Sequence, residues 1–336
     1  MKNTSKKTFL VFLIMIIVLY FILKDDYKAI INNILIADKK FLLVGILLMS
    51  LYYVLKSVCM YLLSKEYKKD VTFKEMLNHF LITQFFNGIT PFSTGGQPAQ
   101  IYMLRKSGIK VANATSITIS DFLIYQIALI AVGLTSLIIN GIFRLIVIDK
   151  VMLSLIIIGF ILNIVIGLFL VLISFSKKFN NFIGKIVLKI ISKIKLIKNR
   201  EALIDKLKDK LNEFNEGSKI IRKDKGLLVK CFLLNYVALL SYYMVAFFVF
   251  RSLDSNTGIT LVVSIIISSF VLLIGGFVPI PGGSGGIEGA FLTLFAYFLS
   301  GNIIKSALIM WRFITYYLCV LVGGILLSIN GGVIKK

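Results

Sequence analysis

The run Gly275-Gly276-Phe277-Val278-Pro279-Ile280-Pro281-Gly282-Gly283-Ser284-Gly285-Gly286 stands in the middle of the otherwise apolar segment 259–300. No α-helix continues through it. Each proline lacks a backbone donor and clashes with the preceding turn, and the glycines weaken what helix remains. A second run of the same kind, with Asn87, Gly88, Pro91, Gly95, Gly96 and Pro98, breaks the segment 76–104. Irregular backbone at membrane depth is tolerated only where protein or a cavity covers it. The sequence therefore predicts an all-α, polytopic membrane helix bundle with two broken segments folded inward.

The composition supports the membrane assignment. Apolar residues make up 58% of the 336-residue chain, more than a soluble domain can cover with polar surface. They fall into blocks near the length of about twenty residues that a spanning helix needs. These blocks are 9–23, 41–63, 111–139, 151–175, 227–250, 259–278 and 303–329. No small-residue cleavage site follows the first block, which reads as a retained anchor. Cys59, Cys231 and Cys319 lie inside apolar blocks without metal-ligand spacing and read as small buried hydrophobes. His79 stands without a second ligand and reads as a polar contact, so neither a metal nor another cofactor is expected. Ser284 lacks the strand–turn–helix setting of a catalytic nucleophile.

A formal net charge of +22 invites thoughts of nucleic acid, but no nucleic-acid-binding module is recognisable. In a membrane chain the charge fits orientation and attraction to anionic headgroups. Lys2, Lys6 and Lys7 place the amino terminus in the cytoplasm. Following the spans from there puts residues 65–74, 105–110, 176–226 and the Lys335-Lys336 tail on the same side. Together with the amino-terminal lysines, those segments carry 27 of the 38 Lys and Arg residues, against 8 on the opposite side. The asymmetry predicts a multi-pass protein of the cell (plasma) membrane with a cytoplasmic amino terminus. It also makes 76–104 enter and leave on the cytoplasmic side, as a re-entrant helical hairpin, while 259–300 does so from outside. Residues 1–139 and 151–330 then each read span, span, broken hairpin, span, in opposite orientations. The expectation is an inverted-topology repeat within a single membrane domain, 1–336.

The connector 176–226 is polar enough to lie outside the bilayer. Phe179, Phe182, Ile183, Ile186, Val187, Ile190 and Ile194 recur at helical spacing among Lys185, Lys189 and Lys193, as in a basic amphipathic helix on the cytoplasmic leaflet. Residues 201–216 alternate acids and bases, as a solvated helix would.

The stretch Phe85-Phe86-Asn87-Gly88-Ile89-Thr90-Pro91-Phe92-Ser93-Thr94-Gly95-Gly96-Gln97-Pro98 resembles the first signature of the lysylphosphatidylglycerol synthase transmembrane region, also called the flippase-like domain. The likeness continues through Tyr102-Met103-Leu104-Arg105-Lys106-Ser107-Gly108. Pro279-Ile280-Pro281-Gly282-Gly283-Ser284-Gly285-Gly286-Ile287-Glu288-Gly289-Ala290 is similar to the second signature, and Trp311-Arg312-Phe313-Ile314-Thr315-Tyr316-Tyr317 to the third. The three stand in family order, and the family domain covers essentially the whole chain. The resemblance implies a flippase-like role in lipid transport. Lysylphosphatidylglycerol is the best-known cargo, and its export lowers surface negative charge and so resists cationic peptides. Many members carry an acid where Gln97 stands and an arginine where Gln100 stands, and both are neutral here. Full-length aminoacyl-phospholipid synthases add a soluble catalytic domain. This chain stops at Lys336 without the residues for aminoacyl transfer, so an enzyme is not expected.

Ionisable groups at membrane depth are expensive and normally face a cavity or a partner. Lys56 lies about two turns from the cytoplasmic end of its span, close enough to snorkel. Asp121 and Arg312 lie deeper and are candidates for function or a functional ion pair. Glu288 either caps the half-helix after its break or serves a site there. Exposed N–H groups at the breaks suit a lipid phosphate. The candidate lipid-binding or translocation residues are Asn87, Pro91, Gly95, Gly96, Gln97, Gln100 and Asp121, with Pro279, Pro281, Gly282, Gly283, Gly285, Glu288, Arg312 and Tyr316. The two breaks are expected to converge near the midplane around a polar cavity. No nucleotide-binding motif is present, so movement would be downhill or ion-driven. Three functions fit: a translocase for an anionic or aminoacylated phospholipid or a polyprenyl-linked lipid, a membrane component acting with a separate synthase, and an anchor for a partner protein. A glycosyltransferase partner would mark a glycolipid cargo, nucleic acid is not an expected partner, and the oligomeric state stays open.

Overall fold

A computed structural model describes residues 27–193, 223–254, 257–276 and 278–331. The expected first span 9–23, the amino-terminal lysines, Ile194, the stretch 201–216 and the Lys335-Lys336 tail lie outside the described residues. All described secondary structure is helical. A short α1 (Tyr27–Ile36) precedes α2 (Lys39–Lys65), the pair α3 (Phe73–Gly88) and α4 (Gly96–Lys106), and α5 (Val111–Phe143). Then come α6 (Lys150–Phe175), α7 (Lys177–Lys193), α8 (Lys225–Leu253) and a second pair, α9 (Leu261–Gly275) and α10 (Gly286–Phe295). A last rod joins α11 (Gly301–Arg312), a π-helical turn (Phe313–Tyr317) and α12 (Leu318–Gly331).

The helices begin where short polar side chains take over orphan amides. Asp38 accepts from the Lys40 amide at 2.8 Å, Asp149 from Val151 at 2.8 Å, and Asp224 from Leu227 at 2.8 Å. These caps open α2, α6 and α8 at the edges of the predicted blocks. Among the described residues, α2, α5, α6, α8 and the rod Gly301–Ile329 are long and apolar enough to cross a membrane. The block 259–278 differs from its expected length. Its helix α9 has 15 residues, about 22 Å at 1.5 Å per residue, short of the roughly 30 Å of hydrocarbon. The Gly/Pro run ends it early. Between the first two apolar blocks lies α1, which packs on α11 and is pinned by Asn33 Nδ2 donating to Ser306 Oγ at 3.2 Å.

In lipid the hydrophobic effect does not drive helices together, so close packing of small residues must. Gly159 of α6 lies against the Leu273 carbonyl of α9, where an added Cβ would come within 2.7 Å. Gly323 of α12 lies as closely against the Leu81 carbonyl of α3. Aromatic packing closes the interior on one side, with the rings of Phe291 and Trp311 5.0 Å apart and those of Phe250 and Phe295 4.7 Å apart. Outward, α6 exposes Ile157, Ile161, Val165 and Leu168, the face a lipid-covered helix presents. The predicted amphipathic helix forms as α7. Ser176 Oγ accepts from the Phe179 amide at 3.1 Å, and Asn180 Nδ2 donates to the Ile173 carbonyl at 2.7 Å, fixing α7 to the end of α6.

Candidate functional site

The two breaks are built alike. Thr90 and Ile280 are extended (φ −120° and −115°), and each is followed by a proline that opens a single 3-10 turn. The next two residues are left-handed in both: Phe92 and Ser93 at φ 53°, Gly282 and Gly283 at φ 67° and 64°. Thr94 Oγ1 and Ser284 Oγ each donate to the proline carbonyl three residues back, both at 3.0 Å. A Gly-Gly pair then starts the returning helix. The freed backbone is satisfied locally, as buried backbone requires. The Gly95 amide donates to Thr90 Oγ1 at 2.8 Å, and the Gly285 amide to Glu288 Oε2 at 2.6 Å. The same donor is thus met by a hydroxyl in one break and a carboxylate in the other.

The tips meet each other. Tyr316, on the π-helical turn, donates its hydroxyl to the Gly88 carbonyl at 2.9 Å and packs its ring against Gly282. One side chain therefore touches both breaks. Asn87 lies close against Gly96, where an added Cβ would force the Asn87 carboxamide aside.

Two ion pairs flank this junction, both buried. Arg312 Nη2 lies 2.6 Å from Glu288 Oε1, its Nε donates to the same oxygen at 2.8 Å, and Nη2 also donates to the Gly282 carbonyl at 3.0 Å. Glu288 thus does both jobs open to it: it caps α10 and pairs with Arg312. Lys56 Nζ lies 3.3 Å from Asp121 Oδ1, donates to Asn235 Oδ1 at 2.7 Å, and sits 5.0 Å from the Tyr125 ring centre. Lys56 does not snorkel: it is 5% exposed, because Asp121 and Asn235 on α5 and α8 hold it inward. Gln100 Nε2 donates to Asp121 Oδ2 at 3.3 Å, and Cys59 Sγ to Oδ1 at 3.6 Å.

Two neighbouring cavities open onto these groups. The larger, about 570 Å³, is lined by Asn87, Gln97, Gly282, Gly283, Arg312 and Tyr316 among others. The smaller, about 210 Å³, reaches Lys56, Gly96, Gln100 and Asp121. Gln84, Asn87, Gln97, Tyr52 and Tyr125 line both. Of the sequence candidates, Pro91, Gly95, Pro279, Pro281 and Gly285 shape the breaks without lining either space, and Glu288 stands behind Arg312. His79 is buried, with Nδ1 unpartnered among the described residues. Sequence reasoning missed Tyr52, Gln84, Tyr125 and Asn235, together with a Gln126–Asn163 hydrogen bond of 3.0 Å at the wall of the larger cavity. Amides inside apolar blocks were the available signal.

A multi-pass bundle with a polar, cavity-bearing centre built on two broken helix pairs is the class this architecture defines. Within that class, the chain belongs to the lysylphosphatidylglycerol synthase TM region family, whose model matches residues 8–323. A UPF0104 membrane protein of Methanothermobacter thermautotrophicus is 22% identical over 286 residues, covering 84% of this chain and 83% of the relative. An uncharacterised protein of Mycoplasma genitalium is 26% identical over 340 residues, covering 94% of this chain and 86% of the relative.

Proposed function

We propose that the chain is a lipid translocase that passes a polar headgroup between leaflets through the paired cavities while the acyl chains stay in the membrane. One observation carries this reading: two broken helices, two buried ion pairs and both cavities meet at one place in an otherwise apolar bundle. A charged side chain at the centre of a spanning helix costs about 2.5–3.5 kcal/mol on insertion scales. A bundle with a purely mechanical role has no use for four such groups around a void. In this reading, 76–104 and 259–300 are re-entrant hairpins entering from opposite faces, and the like conformations of the breaks support an inverted-topology repeat in one domain. The basic side, with the exposed Lys178 and Lys185 of α7, faces the cytoplasm and meets anionic headgroups of the cell membrane. The family name supports an aminoacylated or anionic phospholipid as cargo, and a polyprenyl-linked lipid fits the same route. The role is transport rather than catalysis.

Full-length protein reconstituted in liposomes with fluorescent lipids tests this. A membrane-impermeant reductant should bleach the inner-leaflet label of at least one lipid class far faster than in protein-free liposomes. If every class stays protected as in protein-free liposomes, the chain is not a translocase.

A further inference from the structure

We infer that the paired cavities are built for a neutral, hydroxyl-rich headgroup, a glycosyl group carried on a lipid, rather than for a charged one. The inference rests on the translocase reading for its route and on the cavity walls for its chemistry. Every charge that borders the cavities already has its partner inside the protein. Asp121 accepts from Lys56 and Cys59 through one oxygen and from Gln100 through the other. Lys56 is further held by Asn235, and Arg312 by Glu288 and the Gly282 carbonyl. A cationic headgroup would find no carboxylate left to meet it. An anionic one would meet Lys56 and Arg312 only as members of pairs whose charge is already balanced, and drawing either away would leave a buried carboxylate unpaired, which is strongly unfavourable.

Apart from the remaining N–H donors of the paired Lys56 and Arg312, what the walls leave uncommitted is neutral. The Gln97 amide has no hydrogen-bond partner among the described residues. Gln84 is engaged only through Oε1, which accepts from Asn87 at 3.4 Å, so its two N–H donors remain for a ligand. Both line the two cavities together with the Ser93 hydroxyl, beside the rings of Tyr52, Tyr125 and Phe122. A glutamine amide presents donors and an acceptor in one plane, which matches a hydroxyl that both gives and takes a hydrogen bond. Aromatic walls cover the C–H faces of a sugar ring, as in small-molecule sites where a few polar groups are set in an apolar lining. A site built to hydrogen-bond a hydroxyl rejects analogues lacking it by orders of magnitude, since its own polar groups are then left unpaired.

Native mass spectrometry of the full-length chain in detergent micelles tests the headgroup directly. The probes are monoglucosyldiacylglycerol, phosphatidylglycerol, lysylphosphatidylglycerol and free glucose. The glucosyl lipid should be retained about tenfold better than either charged lipid. Gln97→Ala should lower its retention about five- to tenfold, the range of one or two hydrogen bonds. Gln97→Glu, which adds an unpaired carboxylate, should move the preference toward the lysyl lipid. Better retention of either charged lipid by the wild-type chain overturns the inference, as does an unchanged Gln97→Ala variant. Glucose binding as well as its lipid would make this a site for soluble sugar and also overturn it. If the glucosyl lipid binds but no lipid crosses in liposomes, only the translocase reading fails. If lipids cross while the lysyl lipid is retained best, only the headgroup assignment fails.

Discussion

Replacing Arg312 with alanine is expected to destabilise the bundle by about 3–5 kcal/mol, the usual result of leaving a buried charge without its partner, and to abolish lipid movement. Arg312 is 4% exposed and engages Glu288 through two nitrogens, so its loss strands a carboxylate whose remaining hydrogen bond is the Gly285 amide. From the sequence alone, Arg312 is a site charge whose removal silences movement and spares the fold. The geometry changes that expectation, because the same residue ties the rod to the second break. A double variant, Arg312→Met with Glu288→Gln, separates the two effects. Glutamine still accepts from the Gly285 amide, and a neutral pair in place of a buried ionic one is close to energetically neutral. Denaturant unfolding in detergent should therefore return near the wild-type midpoint, with movement still lost. A single variant that unfolds at the wild-type midpoint contradicts this account.

Gly282→Ala is the second large effect. At φ 67° any other residue is strained, and the new Cβ would lie 2.5 Å from Cζ of Tyr316. Left-handed backbone costs about 1–2 kcal/mol for a residue with a Cβ, and overpacking costs about 1–3 kcal/mol more. Together these give a loss of about 2–5 kcal/mol. The steric part decides the outcome, since Phe92 and Ser93 already hold the equivalent positions at φ 53° in the first break. Gly289 supplies the control. Its Cβ would meet nothing within 4 Å inside α10, so Gly289→Ala should stabilise by about 0.5–1 kcal/mol through helix propensity. Unfolding midpoints of the two variants that shift in the same direction would show that the contact with Tyr316 does not carry the tip.

Much of this was legible because it depends on local chemistry. The Gly/Pro runs declared both breaks, and five apolar blocks became helices of spanning length, three of them opened by aspartate caps. Asp121, Glu288 and Arg312 stood out because charge at depth must be answered. Which group answers was not legible. Lys56 lies 65 residues from Asp121, and Asn235 a further 114 away, so only the packing of α2, α5 and α8 brings them together. The role of Tyr316 depends on a π-helical turn that aims its hydroxyl across to Gly88, and no residue pattern announces such a turn. Helix α1 was lost for a related reason: ten residues, Tyr27–Ile36, are too few to stand out by periodicity, and α1 gains its stability from packing on α11.

The pairing of every charge around the cavities has an electrical meaning. Each elementary charge carried across a membrane exchanges about 2.3 kcal/mol with a potential of 100 mV. Lys56 with Asp121 and Arg312 with Glu288 each sum to zero, so rearranging the walls as neutral pairs moves no net charge through that field. An uncharged headgroup would then cross at a rate indifferent to voltage, and a potassium diffusion potential imposed on the liposomes should leave its movement unaltered. A cell could energise or discharge its membrane without speeding or stalling this step, and the lipid's own concentration difference between leaflets would set the direction.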